Sequence, residues 1–87
     1  MITIDILCAR YRTLSEGDLE RWICAGHVRA DRRGSELVFQ EIDAERVRLI
    51  LELRDDMQVN EEALPVVLSL LDQVYELRRR LRRLGGE

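Results

Sequence analysis

Cys24 and His27 stand three residues apart, and Cys8 is the only other thiol in the chain. A thiol beside an imidazole is the start of a metal site or of an activated nucleophile, but neither is complete here. A tetrahedral metal centre needs four donors. With two cysteines and one histidine in the chain, a carboxylate would have to finish it. A cysteine nucleophile needs an oriented base and donors for the oxyanion, and the residues around Cys24 and His27 indicate neither. No glycine-rich loop of the phosphate-binding kind is present. The expectation from these residues is two free thiols and no metal site.

The remaining chemistry is recognition by charge. Fourteen basic residues, all arginine, face seventeen carboxylates, for a net charge of −3. That balance argues against a general polyanion binder. Its distribution is uneven. Residues 1–77 hold nine arginines and sixteen acids, whereas 78–87 hold five arginines and one acid. Two acidic groups are candidates to meet a basic partner. The first is Glu16, Asp18 and Glu20 with Arg21, all expected to be exposed on one short helix. The second is Glu41, Asp43, Glu45, Glu52, Asp55 and Asp56. Acids early in a helix also suit its dipole without any partner. Arg29, Arg32 and Arg33 are the residues best placed to touch a phosphate backbone.

These residues need elements to position them. "MITI" is β-prone and opens the chain as a short strand. Asp5 can then cap a helix over 6–12 that carries Ile6, Leu7 and Tyr11. Ser15 with Asp18 three residues on is a capping-box variant, and Leu14 with Leu19 can form the hydrophobic staple. Gly26 suits the left-handed position that ends this helix. Leu19, Trp22 and Ile23 then share its inner face. Over 28–39, Val28 and Ala30 alternate with Arg29, and Leu37 and Phe39 with Val38, around "RRGS" as the turn. This predicts a β-hairpin wing. Asp43 is the expected cap of a helix over 44–57, with Val47, Ile50, Leu51 and Met57 on one stripe and Leu49 and Leu53 beside it.

Asn60 can cap a last helix over 61–84, in which Pro65 forces either a distorted first turn or a regular start near Leu64. Two apolar seams run along it. Leu64, Leu68, Leu71 and Tyr75 form a short one, suited to packing on the body of the same chain. Ala63, Val67, Leu70, Val74, Leu77, Leu81 and Leu84 alternate steps of four and three, the heptad spacing of a coiled coil. That seam outlasts the other by about two turns, at roughly 3.6 residues per turn. The expected dimer interface is Val67, Leu70, Val74, Leu77, Leu81 and Leu84. The run "RRRLRR" at 78–83 has a structural role available, because Glu76 can pair with Arg79 and Arg80 and cations suit a helix C-terminus. In an antiparallel dimer this basic end could meet the acids near Asn60 of the other copy.

The expected fold is mainly α with a small β-hairpin wing. It comprises a winged helix-turn-helix body over 1–58 and a long C-terminal dimerisation helix over 59–87 of the same domain. No apolar run of membrane-spanning length exists, and the N-terminus lacks the features of a secretory signal, so a cytoplasmic protein with reduced thiols is expected.

This layout resembles MerR-type winged-helix proteins, and within them the CbpM-type chaperone modulators. The likeness is carried by Leu14-Ser15 with following acids, Leu19, Gly26 before Val28, Phe39, Asp43, Arg46-Val47 and Leu53-Arg54. It continues in the Leu68–Val74 block with Leu70, Leu71 and Asp72, and covers about residues 3–84. His27 and Trp22 depart from the aliphatic residues usual at their positions. The resemblance implies a protein that docks on the J-domain of a CbpA-type co-chaperone and blocks its stimulation of a DnaK-type chaperone. It implies no catalysis and no cofactor. A MerR-like DNA-binding regulator is the alternative.

Overall fold

The computed structural model describes residues 1–85, so the last two residues of the expected 59–87 segment lie outside the description. Strand β1 (Ile2–Thr3) leads directly into helix α1 (Ile4–Arg10). The helix begins two residues earlier than the sequence suggested, and Thr3 caps it in place of Asp5. The Thr3 hydroxyl accepts from the Ile6 N–H at 3.3 Å while the backbone of Thr3 is still extended. One residue thus closes the strand and opens the helix, which leaves Asp5 in the first turn.

Helix α2 (Glu16–Cys24) follows the expected signals. Ser15 Oγ accepts from the Asp18 N–H at 3.1 Å, and Asp18 Oδ2 accepts from the Ser15 N–H at 3.2 Å. These bonds satisfy two donors that a helix start otherwise leaves orphaned. Gly26 takes φ +82° at the far end. The following His27 N–H can then reach back to the Trp22 carbonyl at 2.8 Å, the closure of a Schellman motif.

The wing is shifted along the chain. β2 is Asp31–Arg33 and β3 is Glu36–Phe39, so Arg32 and Arg33 are strand residues and the turn falls on Gly34 and Ser35. Val28 and Ala30 lie before the strand, with Val28 buried in the core. The sheet has three strands in the order β1-β3-β2, all antiparallel. Ile2 pairs with Phe39, and Arg32 with Leu37. The first strand therefore extends the hairpin, and Ile2, Val38 and Phe39 are buried.

Helix α3 (Glu41–Leu51) starts three residues before the expected position. Gln40 is its cap, and Asp43 is the third residue in, accepting from the Gln40 N–H at 3.0 Å. A π-helical segment (Glu52–Asp56) follows. The wider turn breaks the 3.6-residue stripe. Leu53 stays buried, while Met57 leaves the stripe and is 65% exposed. Helix α4 spans Leu64–Arg83. Asn60 Oδ1 caps a separate turn by accepting from the Ala63 N–H at 2.8 Å. Pro65 thus falls in the first turn of α4, where no preceding helical carbonyl opposes its ring.

The core is one cluster around Leu7, Leu19, Trp22, Val47, Ile50, Leu64 and Leu68, all nearly inaccessible. Each such side chain contributes about 2 kcal/mol by its removal from water. The short seam of α4 packs on this body through Leu64, Leu68 and half-buried Leu71, but Tyr75 at its end is exposed. No helix among the described residues is long and apolar enough to cross a membrane.

Candidate protein-binding surface

Helix α2 is fastened to the body by a network centred on Asp18, which the sequence reading had placed at the surface. Asp18 is only 8% exposed. Besides its cap bond it accepts from Arg21 Nη2 at 2.6 Å and from Arg54 Nη1 at 2.9 Å. Burial alone would raise its pKa. The hydrogen bonds from Arg54, the Ser15 N–H and Arg21 outweigh this and hold the carboxyl below its ordinary range. Its capping role had already appeared as the S-x-x-D pattern, and that role turns the side chain back toward the body.

Arg54 is the hub of the network. Its Nε donates to Asp55 at 2.9 Å, its Nη2 donates to the Thr13 carbonyl at 3.0 Å, and its guanidinium lies 5.6 Å from the centre of the Trp22 ring. Thr13 Oγ1 donates to Asp55 at 2.7 Å. Arg54 and then Thr13 hold the Asp55 carboxyl below its usual range. Glu61, just before α4, accepts from Arg21 and from the indole N–H of Trp22, both at 3.3 Å. A buried indole N–H is thereby satisfied.

This wiring separates the two acidic groups. On the outside of α2, Glu16, Glu20 and Cys24 follow one another at four-residue steps and are exposed. Neither Glu16 nor Glu20 forms an ion pair among the described residues. Arg21, the one basic residue of this helix, is committed to Asp18 and Glu61, and those hydrogen bonds raise its pKa. The half-buried Cys8 thiol of α1 reports the same local field. Burial, then the charges of Glu16, Asp5 and Asp18, push its pKa up.

The second group is largely self-neutralised. Glu45 and Glu52 both hold Arg48, Glu41 lies 3.7 Å from Arg10, and Asp55 is taken by Arg54. Asp43 is spent on the start of α3. Asp56 alone of this group is exposed and without an ion pair among the described residues.

Arg29, Arg32 and Arg33 on and beside the wing are exposed and form no ion pair among the described residues. A cleft of about 540 Å³ lies between His27 and α4. Arg46 lines it, donating to the His27 carbonyl and, through both terminal nitrogens, to Asp72 at 2.9 and 3.1 Å. This bidentate pair ties α3 to α4 and was not anticipated from the sequence. Cys8 and Cys24 are free thiols, and no group of three potential ligands among the described residues could hold a metal ion.

The long seam of α4 divides in two. Val67 packs against the core, whereas Leu70, Val74, Leu77, Leu81 and Leu84 are exposed. Leu77 and Leu81 expose 57% and 56% of their surface. The anticipated pairing of Glu76 with Arg79 and Arg80 is present, at 3.7 and 3.4 Å.

A family model described as "MerR HTH family regulatory protein" matches residues 2–85. No curated protein and no solved structure matches the chain. A match over nearly the whole length accounts for the short capped helix, the wing and the long terminal helix together, and the chain belongs to the MerR HTH regulatory protein family.

Proposed function

We propose that this chain is a cytoplasmic, non-enzymatic modulator that binds the J-domain of a CbpA/DnaJ-type co-chaperone. By occupying the J-domain it inhibits cooperation with the DnaK-type chaperone. It acts as a homodimer joined along α4 and needs no cofactor. The partner class rests on the resemblance to CbpM-type modulators.

The observation that carries this reading is the exterior of α2. A helix that reads DNA presents arginine, lysine, asparagine or glutamine to base edges. This one presents Glu16 and Glu20, and its only arginine is held by Asp18 and Glu61. Two free carboxylates repel phosphate but attract a basic helix, the counterpart that the resemblance implies on the J-domain. Because the second acidic group is mostly paired internally, Glu16 and Glu20 are assigned the main electrostatic contact, with Asp56 as the available acid of the other face.

Replacing Glu16 and Glu20 together by arginine should slow association with the J-domain at low salt by about tenfold, with a smaller change in dissociation. Both positions are exposed, so the fold should persist. An association rate equal to that of the unmodified chain would remove this face from the interface.

The unpaired wing arginines support the second reading, a DNA-binding regulator. It requires salt-dependent binding to a palindromic duplex that weakens when Arg29, Arg32 and Arg33 are replaced. The expected result is no duplex binding even at low salt.

A further inference from the structure

Beside the cleft between His27 and α4 lies a second, of about 690 Å³, bounded by the segment after α2, by α3 and by the middle of α4. The two share His27, Arg46, Asp72 and Glu76. A volume of this order suits a small molecule. Ile42, Leu49 and Tyr75 give it apolar surface. Ile42 is 74% exposed, Tyr75 is 48% exposed, and Leu49 is half-buried against the core. At roughly 100° per residue, Asp72, Tyr75 and Arg79 lie on the side of α4 opposite Leu70, Leu77 and Leu81. The cleft therefore faces away from the long seam and stays open whatever covers that seam.

The charges lining the cleft balance formally, four arginines against four carboxylates. They are not equally available. Asp43 accepts from the Gln40 N–H, Glu45 holds Arg48, and Asp72 holds Arg46 through both oxygens. Glu76 is shared among Arg79, Arg80 and Arg83. Every carboxylate is thus engaged. Arg29 forms no ion pair among the described residues, and Arg79 has only its share of Glu76 at 3.7 Å. The uncommitted charge of the cleft is positive. Arg29 also stands on a fixed backbone, because the preceding Val28 is 3% exposed and its N–H donates to the Trp22 carbonyl at 3.3 Å.

We propose that this cleft binds a small carboxylate with an aromatic or aliphatic body, the carboxylate held by Arg29 and Arg79 and the body lying on Ile42, Leu49 and Tyr75. Guanidinium groups pair strongly with a carboxylate, and the three apolar side chains give the body a surface that releases water. A nucleic-acid strand suits the cleft poorly. Asp43, Glu45 and Glu76 surround the two arginines and would repel a run of phosphates, whereas a single anionic group needs to touch only the guanidinium groups. The inference depends on neither the dimer nor the co-chaperone.

An amide-resonance titration of the full chain with phenylbutyrate tests it, with phenylbutanol and phenylbutylamine as probes of the same body carrying no charge and the opposite charge. Phenylbutyrate should give saturable shifts gathered at Arg29, Ile42, Leu49 and Tyr75, and should bind at least several-fold more tightly than either control. Arg29→Gln with Arg79→Gln should weaken it by about tenfold. Ile42→Glu, which sets a carboxylate at the mouth, should weaken it similarly. All three positions are exposed, so these variants should keep the fold. Equal affinity for the alcohol or the amine would overturn the proposal. So would shifts gathered at Leu77 and Leu81 instead of the cleft, or no saturable shift up to the solubility of phenylbutyrate.

Discussion

Replacing Leu77 and Leu81 together by glutamate should convert the proposed dimer into a folded monomer. Both leucines are more than half exposed in the single chain and lie past Leu71, the last residue of α4 packed against the core. In the proposed dimer, the burial they lose is therefore intermolecular. Four leucines per dimer would be replaced, each contributing about 2 kcal/mol of burial, and four carboxylates would be forced into an apolar seam at further cost. Association should weaken by well over a hundredfold. Glutamate forms helix nearly as well as leucine, so the helical circular dichroism and the core should persist. Leu68→Glu provides the contrast, since Leu68 is 2% exposed within the body and its replacement should unfold the chain. Sedimentation with circular dichroism separates these outcomes. A dimer surviving both glutamates would show that α4 does not form the interface.

Arg54→Met should be the most damaging single change outside the apolar core. It removes the guanidinium that serves Asp18, Asp55 and the Thr13 carbonyl while retaining an unbranched chain beside Trp22. Asp18 remains buried with Arg21 and the Ser15 N–H as its remaining donors. Stability should fall by about 2 kcal/mol, which lowers the melting temperature of a chain this size by about 10 °C. The pH dependence follows from the same contacts. Asp18 and Asp55 both titrate below their ordinary value in the folded chain. The stability they contribute is complete above the unfolded carboxylate value of about pH 4 and is lost as pH falls through their lower folded values. Thermal melts should therefore fall steeply below about pH 4 for the unmodified chain and less steeply for Arg54→Met. Equal acid sensitivity in the two chains would contradict the assignment of these contacts to Arg54.

The parts of this fold legible in the sequence are those fixed by near neighbours. Ser15 and Asp18 are three residues apart and form the box that their spacing announces. Gly26 adopts the positive φ that its place after α2 requires. The two seams of α4 were separable by periodicity alone, and the shorter one packs on the body. Boundaries were harder where two neighbouring residues could do the same work. Thr3 and Asp5 can both cap α1, and Gln40 precedes Asp43 closely enough to move the start of α3. The candidate surface was misread at Asp18 because its second role depends on Arg54, which is 36 residues away. The pairs Arg46–Asp72 and Trp22–Glu61 span 26 and 39 residues and have no local signature. Composition could count the acids of this chain. Only the fold reveals which of them are already spent.

The most direct test of the proposed function is a calorimetric titration of this protein with the J-domain of the CbpA-type co-chaperone from the same organism, at moderate salt. Saturable binding is expected, weakened by charge reversal at Glu16 and Glu20, with the stoichiometry giving the number of J-domains per dimer. Absence of binding heat at two well-separated temperatures would contradict the modulator reading. The exposed arginines of the wing and duplex DNA would then become the next pair to test.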